Sequence, residues 1–250
     1  MKAFIVDKYS KTARLREGEM PDPELRADEV LVQVHATSVH PLDFKSRNGD
    51  FKLFLPARTP FVLGHDVAGV VVRVGSRVQC FKIGDEVYAS PDDFQVGTFA
   101  EYVPVKESSL AIKPKNISMV EAASLPLVAL TVWQILVERA KVQAGQKVFI
   151  QAGSGGVGTI AIQLAKHLGA KVATTTSTAN VDWVQKLGAD VVVDYKQADF
   201  EQVLSGYDLV LNSQDSTTLG KSFNVLKSGG QVVSISGPPD AGFAEALQLA

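Results

Sequence analysis

The segment Val148–Gly169, with the sequence VFIQAGSGGVGTIAIQLAKHLG, decides the fold of this chain. Three apolar residues of strand type open it and lead into a glycine-rich turn with the spacing G-x-G-x-x-G. Ile160, Leu164 and Leu168 follow at helical spacing, and Gly169 stands where a helix is capped. Because strand, glycine turn and helix occur in this order, the segment predicts a cradle for the phosphates of a nucleotide.

Each glycine of the turn has a physical role in such a cradle. The first permits a tight turn, the second lets the backbone approach a diphosphate, and the third allows close packing of helix on strand. The helix N-terminus adds free N–H groups and a favourable dipole. The alternative is a glycine-rich turn without a ligand. The predicted phosphate contacts are the six residues of the turn: Gly153, Ser154, Gly155, Gly156, Val157 and Gly158.

Composition narrows the class of protein. The 250 residues are 46% hydrophobic and 21% charged, which is typical of a soluble globular protein. The net charge of −2, with acids and bases interspersed, argues against a nucleic-acid partner or an anionic membrane surface. No apolar run approaches the roughly 20 residues that span a bilayer. The first residues lack the pattern of a signal peptide, so a cytoplasmic location is expected.

The single cysteine, Cys80, excludes internal disulfides and a multi-cysteine zinc lobe. It is predicted to be a small core residue.

The chain divides into two parts of different pattern. Residues 1–115 are rich in short strand-like runs bounded by turn residues, which predicts a compact β unit. Lys113–Asn116 forms the predicted boundary, and residues 116–250 make up the second domain. Ser118 and Glu121 have the spacing of a capping box, so a helix is expected to begin there. The predicted strands of the first domain are Lys2–Val6, Val30–His35, Val67–Val74, Glu86–Ala89 and Phe99–Val105.

Beyond residue 145, strand and helix alternate regularly, which predicts βαβ units and a parallel, doubly wound sheet of α/β class. Helices are expected at 159–168, 179–187, 197–204 and 216–227. The chain stops within an apolar run, Phe243–Ala250, so a final strand and helix are expected to be missing. The predicted strands are Lys147–Ile150, Lys171–Thr176, Asp190–Tyr195, Asp208–Asn212 and Gln231–Ser236.

The end of the second of these strands bears on the choice of nucleotide. NAD-binding folds carry an acid there for the ribose hydroxyls, whereas no acid occurs between Lys171 and Val181. Thr176 and Ser177 can donate hydroxyl hydrogens to a 2′-phosphate, so NADPH is the predicted cofactor. The alternative is that these residues reflect only strand and cap propensity. The segment offers no Arg or Lys to neutralise the phosphate, and Tyr195 is expected to lie over the adenine or to donate to the phosphate.

Several motifs, in order along the chain, resemble the medium-chain dehydrogenase/reductase superfamily. Within it they are most similar to the zinc-independent quinone oxidoreductases, particularly the alkenal and enone oxidoreductases. The motifs are LGHDVAGVV from Leu63, GDEVY from Gly84, FAEY from Phe99, Leu125-Pro126 with Thr131, and AGSGGVG from Ala152.

The resemblance implies an N-terminal GroES-like β domain, a Rossmann-type domain, a cofactor cleft between them and a chain that continues past Ala250. It also implies where a catalytic zinc would bind in related alcohol dehydrogenases. Here His65 keeps the histidine position, but His40 stands near the place of the first cysteine. Since a catalytic zinc needs three protein ligands, no metal is predicted, and His65 is expected to be structural or to line the cleft.

Without zinc, conjugated acceptors are the expected substrates, because hydride addition to an enone or quinone leaves a charge that a hydrogen-bond donor can stabilise. The predicted catalytic residues are Lys45, Asp43 and His40, in a segment that resembles the family's NPVDFK motif at the nicotinamide edge. The blander interpretation makes Asp43 a turn former and Lys45 a solvated side chain.

By the same resemblance, Thr131 contacts the nicotinamide or its ribose. Asn212 and Ser236, with Ser213, end strands at the carboxyl edge and are predicted nicotinamide-side contacts. Four phenylalanines either line an acceptor pocket or belong to the core: Phe51, Phe54, Phe61 and Phe94.

Two functions from different classes therefore remain open. The first is an NADPH-dependent reductase of quinones or α,β-unsaturated carbonyls, acting on a small molecule. The second is a structural or regulatory nucleotide-binding protein of the same fold without turnover. A homodimer is expected by analogy with the family alone.

Overall fold

The computed structural model describes residues 1–53, 58–91 and 97–237. By spatial contact the chain forms two compact units, Met1–Leu127 and a second that begins at Val128. The boundary near residue 115 stays a prediction about domain organisation. Within the described residues, no helix combines the length and apolar character needed to cross a membrane.

The first unit is built from short strands in two antiparallel sheets. One sheet has the order β7-β3-β5-β6-β8 and the other β2-β1-β4. Valines that alternate along the strands of the first sheet, such as Val30, Val32, Val67 and Val71, form its core. The elements are β1 Lys2–Val6, β2 Arg16–Glu19, β3 Glu29–Ala36, α1 Pro41–Asn48, β4 Phe61–Val62, β5 Val67–Val74, β6 Glu86–Ala89, β7 Tyr102–Lys106, β8 Leu110–Ile112 and α2 Met119–Ala123.

Helix α1 contains both Asp43 and Lys45, which bears on the alternative interpretation of Asp43 as a turn former. Pro41 occupies the first turn, where its missing N–H costs nothing, and Gly49 ends the helix with φ of 90°. The carboxylate of Asp43 accepts a hydrogen bond from the backbone N–H of His40 at 2.7 Å. Asp43 is therefore the N3 residue of a capped helix rather than a turn former.

The capping box at Ser118 is confirmed. Its Oγ accepts the N–H of Glu121 at 3.2 Å, and Oε2 of Glu121 accepts the N–H of Ser118 at 2.8 Å. Helix α2 then packs Ala122 and Ala123 against Ala68 of β5, within the first unit. A short break before Pro126 separates it from α3, Pro126–Trp133, which continues into a π-helical turn over Gln134–Arg139.

The second unit alternates strand and helix as predicted. All pairs in its five-stranded sheet are parallel, in the order β11-β10-β9-β12-β13. The predicted run Phe243–Ala250 lies outside the described residues. The elements are β9 Lys147–Ile150, α4 Gly156–His167, β10 Lys171–Thr176, α5 Val181–Lys186, β11 Val191–Asp194, α6 Phe200–Val203, β12 Tyr207–Asn212, α7 Ser216–Ser222 and β13 Leu226–Ser234.

Both faces of this sheet are covered, so the fold is doubly wound. Val148 and Ile150 of β9 pack in one core with Ile162 of α4. Phe149 points to the opposite face, where its ring lies 5.0 Å from that of Phe200 in α6. Because β9 lies between β10 and β12, the strand order reverses at its carboxyl end. Ligands bind at such a switch point in open parallel sheets.

Candidate functional site

The glycine-rich turn joins β9 to α4 at the carboxyl edge of the parallel sheet. A Cβ on Gly153 would lie 2.1 Å from Oγ1 of Thr174, and one on Gly158 would lie 2.3 Å from the carbonyl oxygen of Ala152. Both glycines are therefore required by packing. The first brings the turn against β10, and the second brings α4 against the turn.

Gly155 and Gly156 differ from these two glycines. A Cβ on either would meet no heavy atom closer than 3.3 Å, so the fold itself does not require glycine there. Gly155 is the N-cap of α4, and no side chain caps that helix. The first N–H groups of α4 therefore lack a capping acceptor beside a bare backbone surface, which is the environment that a phosphate oxygen prefers.

Hydrogen bonds to β10 hold the turn in place. The N–H of Ala152 donates to Oγ1 of Thr175 at 3.0 Å, and the N–H of Gly153 donates to the carbonyl oxygen of Thr175 at 2.9 Å. Ala152 adopts φ of 52°, in the left-handed region that non-glycine residues rarely occupy. The turn is therefore shaped by the protein alone.

The hydroxyl groups along β10 are mostly committed to protein acceptors. Thr174 donates to the carbonyl oxygen of Ile150 at 2.7 Å, and Thr176 donates to Oγ of Ser154 at 3.0 Å. Ser177 accepts a hydrogen bond from the Asn180 amide at 3.3 Å. In the part of the chain that the structure describes, Ser177 and Ser154 accept at their hydroxyls and keep their hydrogens for another acceptor.

Asn212 and Ser236 lie together at the ends of β12 and β13. The Nδ2 of Asn212 donates to Oγ of Ser236 at 3.2 Å and to Oγ of Ser234 at 3.1 Å. Its Oδ1 accepts the N–H of Gln214 at 3.1 Å. Asn212 is fully buried, so its amide shapes the carboxyl edge. Ser213 donates to the carbonyl oxygen of Gln151 at 3.4 Å.

Two further predicted cofactor residues have different environments. Tyr195 is 61% exposed, and its N–H donates to the carbonyl oxygen of Thr176 at 3.1 Å. That bond places Tyr195 beside the end of β10. Thr131 is half-buried on α3.

In the first unit, the predicted residues His40 and Asp43 belong to a buried polar cluster. The Oδ1 of Asp43 lies 2.7 Å from Nδ1 of His65, while its Oδ2 accepts the N–H of His40. The Nε2 of His40 lies 2.7 Å from Oδ2 of Asp66 and 2.6 Å from Oγ of Ser38. We call Ser38, His40, Asp43, His65 and Asp66 the His–Asp cluster.

The acids and imidazoles of the cluster are buried and well connected. Asp43 is 2% exposed and Asp66 is not exposed at all. The second oxygen of Asp66 accepts the N–H of Leu127 at 2.8 Å, at the start of α3. Since each carboxylate oxygen has a donor or an imidazole partner, burial of the two acids is compensated. Among the described residues, no three His, Cys, Asp or Glu side chains are grouped so as to hold a metal ion.

Lys45 lies two residues after Asp43 on α1, so the two side chains leave the helix in nearly opposite directions. It is half-buried, and within the described residues its ammonium forms no hydrogen bond or ion pair. Phe61 belongs to the core beside Tyr9, with ring centroids 5.4 Å apart, and Phe51 is half-buried. Phe54 and Phe94 lie outside the described residues.

One expectation about the cysteine is wrong. Cys80 is exposed, in the turn after β5, and its N–H donates to Oε1 of Glu107. It is not a core residue, because the turn that follows Gly75 carries it away from the packed valines of the sheet.

Two residues beside the end of β10, Asp194 and Lys196, are not among the site residues predicted from the sequence. Asp194, the last residue of β11, accepts the hydroxyl of Thr178 at 2.6 Å, and the N–H of Lys196 at 3.0 Å. The only feature of the sequence that points to these two residues is their position at or just after the end of β11, the strand that follows β10. Parallel strands bring such ends together in space across an intervening helix.

Comparison with known proteins agrees with this architecture. Residues 26–115 match the model of the alcohol dehydrogenase GroES-like domain, and residues 156–249 match that of the zinc-binding dehydrogenases. A quinone oxidoreductase structure from Coxiella burnetii superposes with a TM-score of 0.88 at 34% sequence identity. That alignment covers 99% of this chain and 79% of the other.

Two plant relatives are somewhat more similar in sequence. A 2-methylene-furan-3-one reductase from Solanum lycopersicum is 41% identical over 95% of this chain, and an NADPH-dependent alkenal/one oxidoreductase, chloroplastic, from Arabidopsis thaliana is 42% identical over 95%. The chain spans 62% and 63% of the lengths of these two relatives. The GroES-like and Rossmann-type organisation predicted from the sequence is confirmed, and the chain belongs to the medium-chain dehydrogenase/reductase superfamily, in its quinone oxidoreductase branch.

Proposed function

We propose that this protein is an NADPH-dependent reductase that transfers hydride to a quinone or to the C=C bond of an α,β-unsaturated carbonyl compound, without zinc. The observation that carries the proposal is the bare backbone surface at Gly155 and Gly156, next to the uncapped first turn of α4. The names of the Arabidopsis and Coxiella relatives, an alkenal/one oxidoreductase and a quinone oxidoreductase, support it.

The residues of the turn fit a dinucleotide. The N–H groups at the start of α4 would bind the diphosphate, and Ser154 would add its hydroxyl hydrogen because Thr176 occupies its acceptor site. Val157 contributes its N–H in the same helical turn. The nicotinamide, when bound, supplies the hydride. We assign Thr131, Asn212 and Ser236 to the nicotinamide end of the cofactor. Asn212 and Ser236 contribute by holding the carboxyl edge of the sheet in shape.

NADPH is proposed rather than NADH because the end of β10 carries hydroxyls in place of an acid. Of these hydroxyls, that of Ser177 is the one that can donate to a 2′-phosphate, since the hydrogens of Thr176 and Thr178 go to Ser154 and Asp194. The exposed ring of Tyr195 stands next to this position.

For the acceptor, we assign Lys45 as the donor to the oxygen that becomes negative. Its ammonium is uncommitted among the described residues, whereas Nε2 of His40 and both carboxylate oxygens of Asp43 are occupied within the His–Asp cluster. His40 and Asp43 therefore act on the reaction by holding α1, and with it Lys45, in place. A positive donor stabilises an oxyanion better than a neutral one does.

Three observations support catalysis without zinc. His65 commits Nδ1 to Asp43, His40 commits Nε2 to Asp66, and the single cysteine lies on an exposed turn. A catalytic zinc in this family of folds needs three protein ligands that converge on one point.

The test is NADPH oxidation followed at 340 nm with a panel of quinones and enones, such as 1,4-benzoquinone and methyl vinyl ketone, in the presence and absence of a chelator. We expect turnover that a chelator does not change. Tight binding of NADPH without oxidation by any acceptor would instead favour the structural or regulatory function. Loss of activity with the chelator and its return with zinc would overturn the metal-free assignment.

A cytoplasmic location and a homodimer stay predictions. The Arabidopsis relative is named chloroplastic, so the compartment needs its own measurement, for instance microscopy of a tagged full-length protein. Light scattering on the purified chain measures the oligomeric state.

A further inference from the structure

The carboxylate of Asp194 links the turns that follow two neighbouring strands. Thr176 and Asp194 are the last registered pair of β10 and β11. Oδ2 of Asp194 accepts the Thr178 hydroxyl at 2.6 Å and the Gln197 amide at 2.9 Å, and Oδ1 accepts the N–H of Lys196 at 3.0 Å. One carboxylate thus holds the turn at 177–180 against the turn at 195–197.

This link holds the turn that carries Lys196 beside the carboxyl end of β10, and that end of the strand offers no positive charge of its own. The stretch from Val172 to Gln185 has no Arg or Lys, but Lys196 follows β11 and is exposed. Its ammonium makes no hydrogen bond or ion pair of 4 Å or less among the residues described. The Thr178 hydroxyl, then the Lys196 N–H, and to a smaller degree the Lys196 charge, lower the pKa of Asp194.

The same link leaves suitable donors on the two turns. Thr178 gives its hydrogen to Asp194, so it cannot donate to a ligand. Ser177, one residue earlier, keeps its hydrogen, and the N–H of Tyr195 ties the residue before Lys196 to the end of β10 at 3.1 Å. Ser177, with its hydroxyl donor, and the exposed residues Tyr195 and Lys196 therefore lie on two turns that Asp194 joins.

We propose that Lys196 is a specificity-determining residue for a 2′-phosphorylated adenosine, and that Asp194 and Thr178 are positioning residues that hold its turn beside Ser177. The proposal rests on the proposed function, since it concerns the adenosine end of the same nucleotide. Lys196 supplies the cation that a doubly charged phosphate requires, and the Asp194 link removes the need for an Arg or Lys on β10 itself.

The first test uses two small probes with the full chain, adenosine 2′,5′-bisphosphate and AMP, measured by isothermal titration calorimetry. For Lys196→Gln we expect the bisphosphate to bind about three- to tenfold more weakly and AMP to bind within about twofold of its original affinity. Lys186→Gln, which removes an equally exposed charge on α5, is the matched control and should change neither. Equal losses in the two variants, or parallel losses for both probes, would overturn the role of Lys196.

The second test separates positioning from charge. Thr178→Val removes the donor to Asp194 without changing any charge, and we expect a selective loss of bisphosphate affinity of about two- to fivefold. Thr178→Ser keeps the hydroxyl and should restore binding. A Thr178→Val variant that melts at a lower temperature but keeps its ratio of bisphosphate to AMP affinity would show a merely structural link, and would overturn the positioning role.

The outcomes also separate this proposal from the proposed function. An unsubstituted protein that binds both probes with equal affinity overturns the 2′-phosphate site alone. An unsubstituted protein that binds neither AMP nor NADPH overturns the proposed function, and this inference falls with it.

Discussion

Thr176 donates its hydroxyl hydrogen to Oγ of Ser154 at 3.0 Å, from the end of β10 to the glycine-rich turn. Thr176 is 1% exposed, so the bond is shielded from competing water. Because Ser154 accepts this bond, its own hydroxyl hydrogen stays available for an acceptor outside the protein. In the proposed function, Thr176 would therefore orient a donor to the nucleotide without touching the nucleotide itself.

The first prediction concerns this bond. Thr176→Val keeps the branched shape of the side chain but leaves Ser154 without its donor. We expect the dissociation constants of NADPH and NADH to rise together by about three- to tenfold, since one hydrogen bond contributes about 0.5–1.5 kcal/mol. Fluorescence titration measures both. Thr176→Ser is the control that retains the hydroxyl, and unchanged affinities in the valine variant would contradict the assignment.

The second prediction separates the glycines by role. Gly158→Ala places a methyl group against the Ala152 carbonyl, so the free energy of unfolding is expected to fall by about 1–3 kcal/mol. The Cβ of Gly155→Ala would lie 3.3 Å from the Ala152 carbonyl oxygen, at φ of −79°, and the substitution should change stability by no more than about 1 kcal/mol. We expect it to weaken NADPH binding at least about tenfold by crowding the α4 amides. Urea unfolding and nucleotide titration test the pair, and strong binding by Gly155→Ala would count against the cradle.

The third prediction concerns the His–Asp cluster. Asp43→Ala removes the acceptor of the His40 N–H and the partner of Nδ1 of His65, both in a buried setting. We expect the free energy of unfolding to fall by about 2–5 kcal/mol, measured by urea unfolding. Asp50→Ala removes an exposed carboxylate just after the same helix and is the matched control. Similar small losses in both variants would show that the cluster does not hold α1.

The fourth prediction tests Lys45 as the donor to the acceptor oxygen. Lys45→Ala is expected to lower kcat/KM for an enone by about 10- to 100-fold, while the dissociation constant of NADPH stays nearly unchanged. Lys8→Ala, which removes an exposed ammonium from the first unit, serves as the control. Unchanged kinetics in the Lys45 variant would remove this residue from the mechanism.

The fifth prediction is a pH dependence at the start of α2. The N–H and hydroxyl of Ser118 hold the pKa of Glu121 below its usual value of 4.5. A depressed folded-state pKa contributes stability above the unfolded value, and this contribution is lost as the pH falls through the folded value. Glu121→Gln should therefore lower the melting temperature at pH 7 but narrow the difference from the original protein below about pH 4. A constant difference between pH 7 and pH 3 would refute the capping role.

The parts of the fold that repeat a strong local pattern were predictable. The strands Lys147–Ile150 and Lys171–Thr176 have the bounds expected from their apolar runs, and the capping box at Ser118 starts its helix where predicted. Short elements were not predictable. Strands β2, β4 and β8 have two to four residues each, which are too few to show an alternation of apolar and polar residues. Helix α1 was missed although Pro41 and Gly49 mark its ends.

The site residues divide along the same line. Gly153–Gly158 is contiguous in sequence and carries its own signature. The pairing of Asp194 with Thr178, and of Asp66 with His40, joins residues 16 and 26 positions apart and depends on which strands become neighbours. A search for Arg or Lys along β10 also missed Lys196, because this residue lies in the turn after the neighbouring strand β11.

Ala152 gives the glycine-rich turn a property beyond its shape. An alanine at φ of 52°, fixed by its own hydrogen bond to Thr175 and by that of Gly153, has few other conformations open to it. The entropic cost of ordering this backbone therefore belongs to folding, and it does not recur when a nucleotide binds. We expect nucleotide binding to carry a small entropic penalty at this end of the ligand. The glycine-rich turn would act as a rigid template and would not close around the ligand.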